Sequence, residues 1–332
     1  EELMIPIRAY MTVWLPLAMP LTAVLLVCDS ILRSYGDART PGILMIAGTV
    51  LNALLDPVLI FGTDSIFPGT FAGFGVAGAA WATAIAYILL GLFYIYYFAT
   101  RLSVFQRISL AAFWCATKEL FRVARLSMAE SALEPITDFM IFYIIAPFGA
   151  AAIAAMGIAY RFFGIAAGPA FALNIVVNPI AGQNFGAGRI DRVNLLWKRI
   201  LQISLILSVL MGSIFTAGAG LIAGSFTDNL VTLGLAALFM RLVMWTVGGY
   251  CAMTSLIGML YGLDRSREAL GIKVFQVVFC YVIPVWVGVK IFGVVGVVYA
   301  WALGDVLAGF LALNLYRFWV QPKLLSSPAN SP

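Results

Sequence analysis

A chain of 332 residues that is 63% hydrophobic and only 11% charged, with a mean hydropathy of +1.00, is too apolar to be a water-soluble globule, whose apolar share lies near about 45–50%. Apolar runs of about 20 residues or more, without short alternating strands, exclude an outer-membrane barrel and predict a polytopic, all-α membrane protein. The net charge of +5 comes with no histidine and with four scattered cysteines (Cys28, Cys115, Cys251, Cys280), so no metal site, cofactor or disulfide framework is expected.

Nine spans are predicted, at roughly 9–34, 42–62, 73–99, 121–147, 150–182, 194–223, 230–262, 270–291 and 294–319. Sixteen of the 20 Lys and Arg fall on alternate connections: Arg33 and Arg39, then Arg101, Arg107 and Lys118 with Arg122 and Arg125 just inside, then Arg189, Arg192, Lys198 and Arg199, then Arg265, Arg267 and Lys273, and finally Arg317 and Lys323. By the positive-inside rule that side is cytoplasmic, with residue 1 outside and the C-terminus inside the cell's inner membrane. The positive charge is therefore a topology signal and not evidence for nucleic acid.

Asp29 lies near the inner end of span one, where snorkelling explains it. Span two carries Asn52 and Asp56 one helical turn apart, followed by Pro57. With Thr83 of span three they form either a set of hard oxygen ligands for a proton or Na⁺, or a hydrated Asp-Pro turn. Residues 101–120 mix Phe, Leu and Trp with basic residues, as a linker lying in the membrane interface does.

Span four buries Glu130, Glu134 and Asp138, spaced four apart on one helix face, around Pro135. Three carboxylates in a membrane helix point to a cation- or proton-coupling site, with Glu134 at its centre and Glu130 and Asp138 beside the substrate cavity. The alternative is simple pairing with a basic residue such as Arg125. Span five adds Asn174 and Asn178, more amides than packing needs, and then a Gly-rich exit (Gly182 to Gly188) that lacks the Lys-Ser/Thr of a phosphate loop. The segment 320–332 is expected to be a disordered tail.

Phe74-Gly75-Val76-Ala77-Gly78 is echoed by Phe292-Gly293-Val294-Val295-Gly296, and Tyr35-Gly36 by Tyr261-Gly262. Spans one to three thus repeat as spans seven to nine in the same orientation, an architecture of two lobes related by a parallel repeat. Residues 1–100 then form part of one lobe and 121–319 the other. The repeat implies twelve helices, so three more are expected before Glu1, where neither a start methionine nor a signal peptide stands.

The stretches Asn52-Ala53-Leu54-Leu55-Asp56-Pro57, Gly75 to Thr83, and Gly182-Gln183-Asn184-Phe185-Gly186-Ala187 together resemble the multidrug and toxic compound extrusion (MATE) family. The resemblance implies a non-enzymatic, monomeric antiporter that exports amphipathic organic cations in exchange for H⁺ or Na⁺. It places the family's seventh-helix carboxylate on Glu134 and the cation network of the other lobe on Asn52, Asp56 and Thr83. A tenth-helix Asp of one branch falls on Gly249. The alternatives are a lipid-linked saccharide exporter of the same superfamily, or a fragment inactive on its own.

Overall fold

The computed structural model describes residues 4–62, 71–102 and 109–325, and every regular element among them is helical. The helices are α1 (Met4–Ser34), α2 (Arg39–Phe61), α3 (Val76–Leu102), α4 (Leu110–Ile145), α5 (Ala150–Gly186), α6 (Ile190–Gly224), α7 (Leu230–Val243), α8 (Val247–Gly262), α9 (Ser266–Phe292) and α10 (Val295–Leu324). All are long and apolar enough to cross a membrane once α7 and α8, which meet at a 61° bend, are counted as one broken span. The chain is a multi-pass membrane protein, and among the described residues the nine expected spans are present when the bent pair is counted as one.

Span four falls at Ala124–Phe148, close to the expected 121–147, and the helix that carries it starts earlier, at Leu110, because 110–120 hold neither Pro nor Gly. One expectation is corrected. Residues 320–325 are helical rather than disordered, with Leu324 buried. Residues 63–70, 103–108 and 326–332, which hold part of the expected outer loop, linker and tail, lie outside the described residues.

The chain divides into two units, Glu1–Phe113 and Trp114–Pro332. In the first, α3 packs on α1 and α2 through small residues (Ala80, Ala82, Ala84, Ala86), and Leu25, Leu32, Leu44, Tyr94 and Phe98 form its apolar cluster. In the second, α8 is the central helix, buried along almost its whole length and packed by α5, α6 and α10.

Close approach explains the glycines. A Cβ on Gly78 would strike the Leu59 carbonyl, and one on Gly296 the Gly288 carbonyl. Each follows a glycine at positive φ, Gly75 (58°) or Gly293 (64°), so the two echoed motifs fold as the same tight turn into a helix. The second echo is less faithful, with positive φ at Gly36 in one copy and at Asp264 in the other.

The α7–α8 bend contains no proline; its freed backbone groups are re-satisfied by side chains. The Thr246 hydroxyl donates to the Val243 carbonyl at 2.8 Å, beside the Thr246 N–H at 2.9 Å, and the Gly248 N–H donates to Ser208 Oγ at 2.8 Å.

Candidate functional site

The acidic stripe of α4 opens onto a pocket of about 200 Å³ inside the second unit, with Glu134 and Asp138 in its wall and Glu130 beside it. The ammonium of Lys273 lies 2.9 Å from Glu134 Oε1 and 4.0 Å from Glu130 Oε1. Lys273 is only 3% exposed, so α9 delivers a positive charge to the interior, and the carboxylates pair with it instead of with Arg125. The Tyr250 hydroxyl donates to Glu134 Oε1 at 3.4 Å and the Tyr160 hydroxyl to Asp138 Oδ1 at 3.1 Å.

The remaining walls are aromatic. Trp301 meets Tyr160 edge-on at 5.1 Å and Phe163 at 5.6 Å, and Tyr250 closes on Phe163 at 5.5 Å and Phe171 at 5.9 Å. Faces and edges packed this way leave electron-rich surface beside an acidic patch, the combination that attracts organic cations.

Over Gln276–Val282, α9 widens into π-type turns. Five residues of regular α-helix would place Gln276 and Tyr281 about 140° apart. The wider turn brings both to the pocket wall, a common use of such turns. Gln276 is 1% exposed and neither of its side-chain polar atoms has a hydrogen-bond partner; the indole N–H of Trp301 is likewise buried and unpartnered. These groups stand ready for polar contacts that a ligand or water would make.

Behind Tyr281 lies Asp305 of α10, with 0% exposure. The Tyr281 hydroxyl donates to Oδ1 at 2.7 Å, and Thr246 Oγ1 lies 3.0 Å from Oδ2. Gly249 packs directly on the Asp305 carbonyl, where a Cβ would collide; the position that the resemblance compares with an Asp is therefore a close helix crossing.

The other expected residues are distributed as follows. In the first unit, Asn52 Nδ2 donates to Thr83 Oγ1 at 3.3 Å, and both line a pocket of about 280 Å³ together with Asp29. Asp56 does not line it, and its Oδ1 is buried without a partner. Asp29 does not snorkel: it accepts a hydrogen bond from the Tyr94 hydroxyl and lies 3.5 Å from Arg33. Asn174 and Asn178 do not line the acidic pocket. The Asn174 amide donates to the Thr254 carbonyl at 2.8 Å, holding α5 to α8, and Asn178 is exposed.

Sequence reasoning misses Lys273, Gln276 and Asp305. Lys273 reads as a loop charge because it follows Arg265 and Arg267 closely. Asp305 does carry a signal, as a lone acid in a 21-residue apolar stretch.

Residues 127–287, which carry the acidic stripe and most of the pocket, match the MatE family model. Over 302 residues the chain is 28% identical to the multidrug export protein MepA of Staphylococcus saprophyticus, covering 90% of this chain and 64% of that protein. It is 27% identical over 303 residues to MepA of Staphylococcus aureus, with the same coverage. The chain therefore spans slightly under two thirds of the length of these curated relatives. Among solved structures, a point mutant of the Vibrio cholerae MATE transporter VcmN superposes with a TM-score of 0.85 at 25% identity, over 97% of this chain and 70% of that one. An outward-facing multidrug resistance MATE family transporter gives 0.84 at 20% identity over 96% of this chain and 70% of that one, a likeness of fold.

Proposed function

We propose that this chain is a transporter of the MATE family, working as a secondary antiporter that exports amphipathic organic cations in exchange for H⁺ or Na⁺ bound at Glu134. One observation carries this reading: a carboxylate-lined aromatic pocket among apolar helices, with Glu134 in its wall and Lys273 as its internal counter-ion.

The charges supply the coupling. Glu130, Glu134 and Asp138 outnumber Lys273, so the ionised site carries excess negative charge that one cation can balance. A proton on Glu134 weakens its hold on Lys273, and the freed ammonium repels an organic cation in the same pocket. Loading the coupling ion and loading the substrate are thus mutually unfavourable, as exchange requires. A pocket of about 200 Å³ suits an ion and one end of a substrate, since pockets that enclose a drug-sized ligand run to roughly 300–1,000 Å³. A saccharide-diphosphate exporter would need several unpaired basic groups here, whereas Lys273 already faces two carboxylates.

The test is export of a fluorescent organic cation from proteoliposomes under an imposed ion gradient. Glu134→Gln keeps the side chain's shape and leaves Glu130 near Lys273, so membrane abundance should fall only a little while gradient-driven export collapses. Glu130→Gln, 4.0 Å from Lys273, should retain part of it. Full export by Glu134→Gln at equal protein level would move coupling away from this pocket.

A further inference from the structure

The surroundings of Asp305 are satisfied in full by one proton more than an ionised carboxylate would supply. Thr246 Oγ1 lies 2.8 Å from the Val243 carbonyl and 3.0 Å from Asp305 Oδ2, yet a threonine hydroxyl has one hydrogen. Were Asp305 ionised, both neighbours would be pure acceptors and would have to share the one hydroxyl hydrogen, which weakens both contacts. Each is made in full when Asp305 carries a proton on Oδ2. Its O–H then donates to Thr246 Oγ1, Thr246 donates to Val243, and Tyr281 donates to Oδ1 at 2.7 Å.

The charges nearby agree. Among the described residues no Lys or Arg forms an ion pair with Asp305; the titratable groups that face it are the neutral Tyr281, Tyr250 and Cys280. Basic groups on the elements packed against α10 are engaged elsewhere or exposed: Lys273 on Glu134, Lys290 over the Trp286 ring, Arg265 on Glu268, and Arg161 and Arg241 on the surface. A fully buried carboxylate without a counter-ion is far more stable neutral than charged.

We propose that Asp305 is a proton-binding site, a neutral carboxylic acid whose proton sets the hydrogen bonding at the α7–α8 break. Loss of that proton would turn the Thr246 hydroxyl towards the carboxylate and away from Val243. Tyr281, which lines the acidic pocket and also touches Asp305, joins the two sites. The assignment rests on hydrogen-bond counting within the second unit and does not depend on the transport reading.

Infrared difference spectroscopy of the purified, lipid-reconstituted protein at neutral pH tests it. The protonated-carboxyl C=O band should be present in the wild type, lost in Asp305→Asn and kept in Glu134→Gln. Asn is a fair isostere, since its amide accepts from Tyr281 and donates to Thr246 as the acid does. Tyr281→Phe supplies a second reading that needs no change at Asp305: removing the donor to Oδ1 should move the band to higher frequency. A spectrum in that region that is unchanged by Asp305→Asn would show Asp305 to be ionised and overturn the proposal, and a band lost in Asp305→Asn yet unmoved by Tyr281→Phe would overturn the hydrogen bonding assigned to it. Should Glu134→Gln alone abolish the band, the proton belongs to Glu134 instead.

Discussion

Lys273 carries a charge that the fold must neutralise, and Glu134 answers it across 139 residues of sequence. Removing one partner of such a pair leaves the other desolvated, a loss of roughly 3–5 kcal/mol when both are fully buried. Glu134 keeps 46% of its side chain exposed, so a smaller penalty is expected. In thermal unfolding of the purified protein, Lys273→Met should destabilise, and Glu134→Gln should relieve part of that loss. A double-mutant cycle should give a coupling energy of about 1–2 kcal/mol; strict additivity would mean that the pair is not formed in the membrane. The contrast between these residues shows what sequence reveals at this scale. Glu134 and Asp305 stand out because acids are foreign to apolar helices. The burial of Lys273 is illegible there because it depends on a partner that only the fold brings near.

Among the elements, the turn from α1 into α2 shows the local chemistry most plainly. Asp37 Oδ1 accepts from the backbone N–H groups of Arg39 (3.1 Å) and Thr40 (2.9 Å), and the Tyr97 hydroxyl donates to Oδ2 at 3.2 Å. These donors, those of Thr40 foremost, favour the ionised form and hold the Asp37 carboxyl below its ordinary range. A lowered value means stabilisation that is complete above the unfolded range, near about 3.9, and lost as pH falls through the folded value. Asp37→Ala should cost about 1 kcal/mol through the lost cap and flatten that acid limb, as read by amide exchange in the first turn of α2. Element positions are legible from hydropathy because membrane spans advertise their length. The α7–α8 bend is not, since Thr246 and Ser208 make it without a proline to announce it.

For the whole molecule, the alternation of basic and charge-poor connections predicts sidedness. In a background with the cysteines removed, Asp228→Cys, in the connection between α6 and α7, should react with an impermeant thiol reagent from outside. Arg192→Cys, at the start of α6, should react only from inside. Labelling of both from one face would refute the nine-span threading. The repeat, too, is readable in advance where glycine is irreplaceable, at Gly75 and Gly293, and blurred where another residue can take the same turn, as Asp264 does. The widened turn at Gln276–Val282 has one further consequence. In register it amounts to an inserted residue: a relative whose helix keeps α-pitch there must carry one residue fewer, so the two chains align only across a gap. Deleting a single residue from this turn would restore α-pitch and leave the helix beyond it in register, so that only the side chains of the turn itself would change direction towards or away from the pocket.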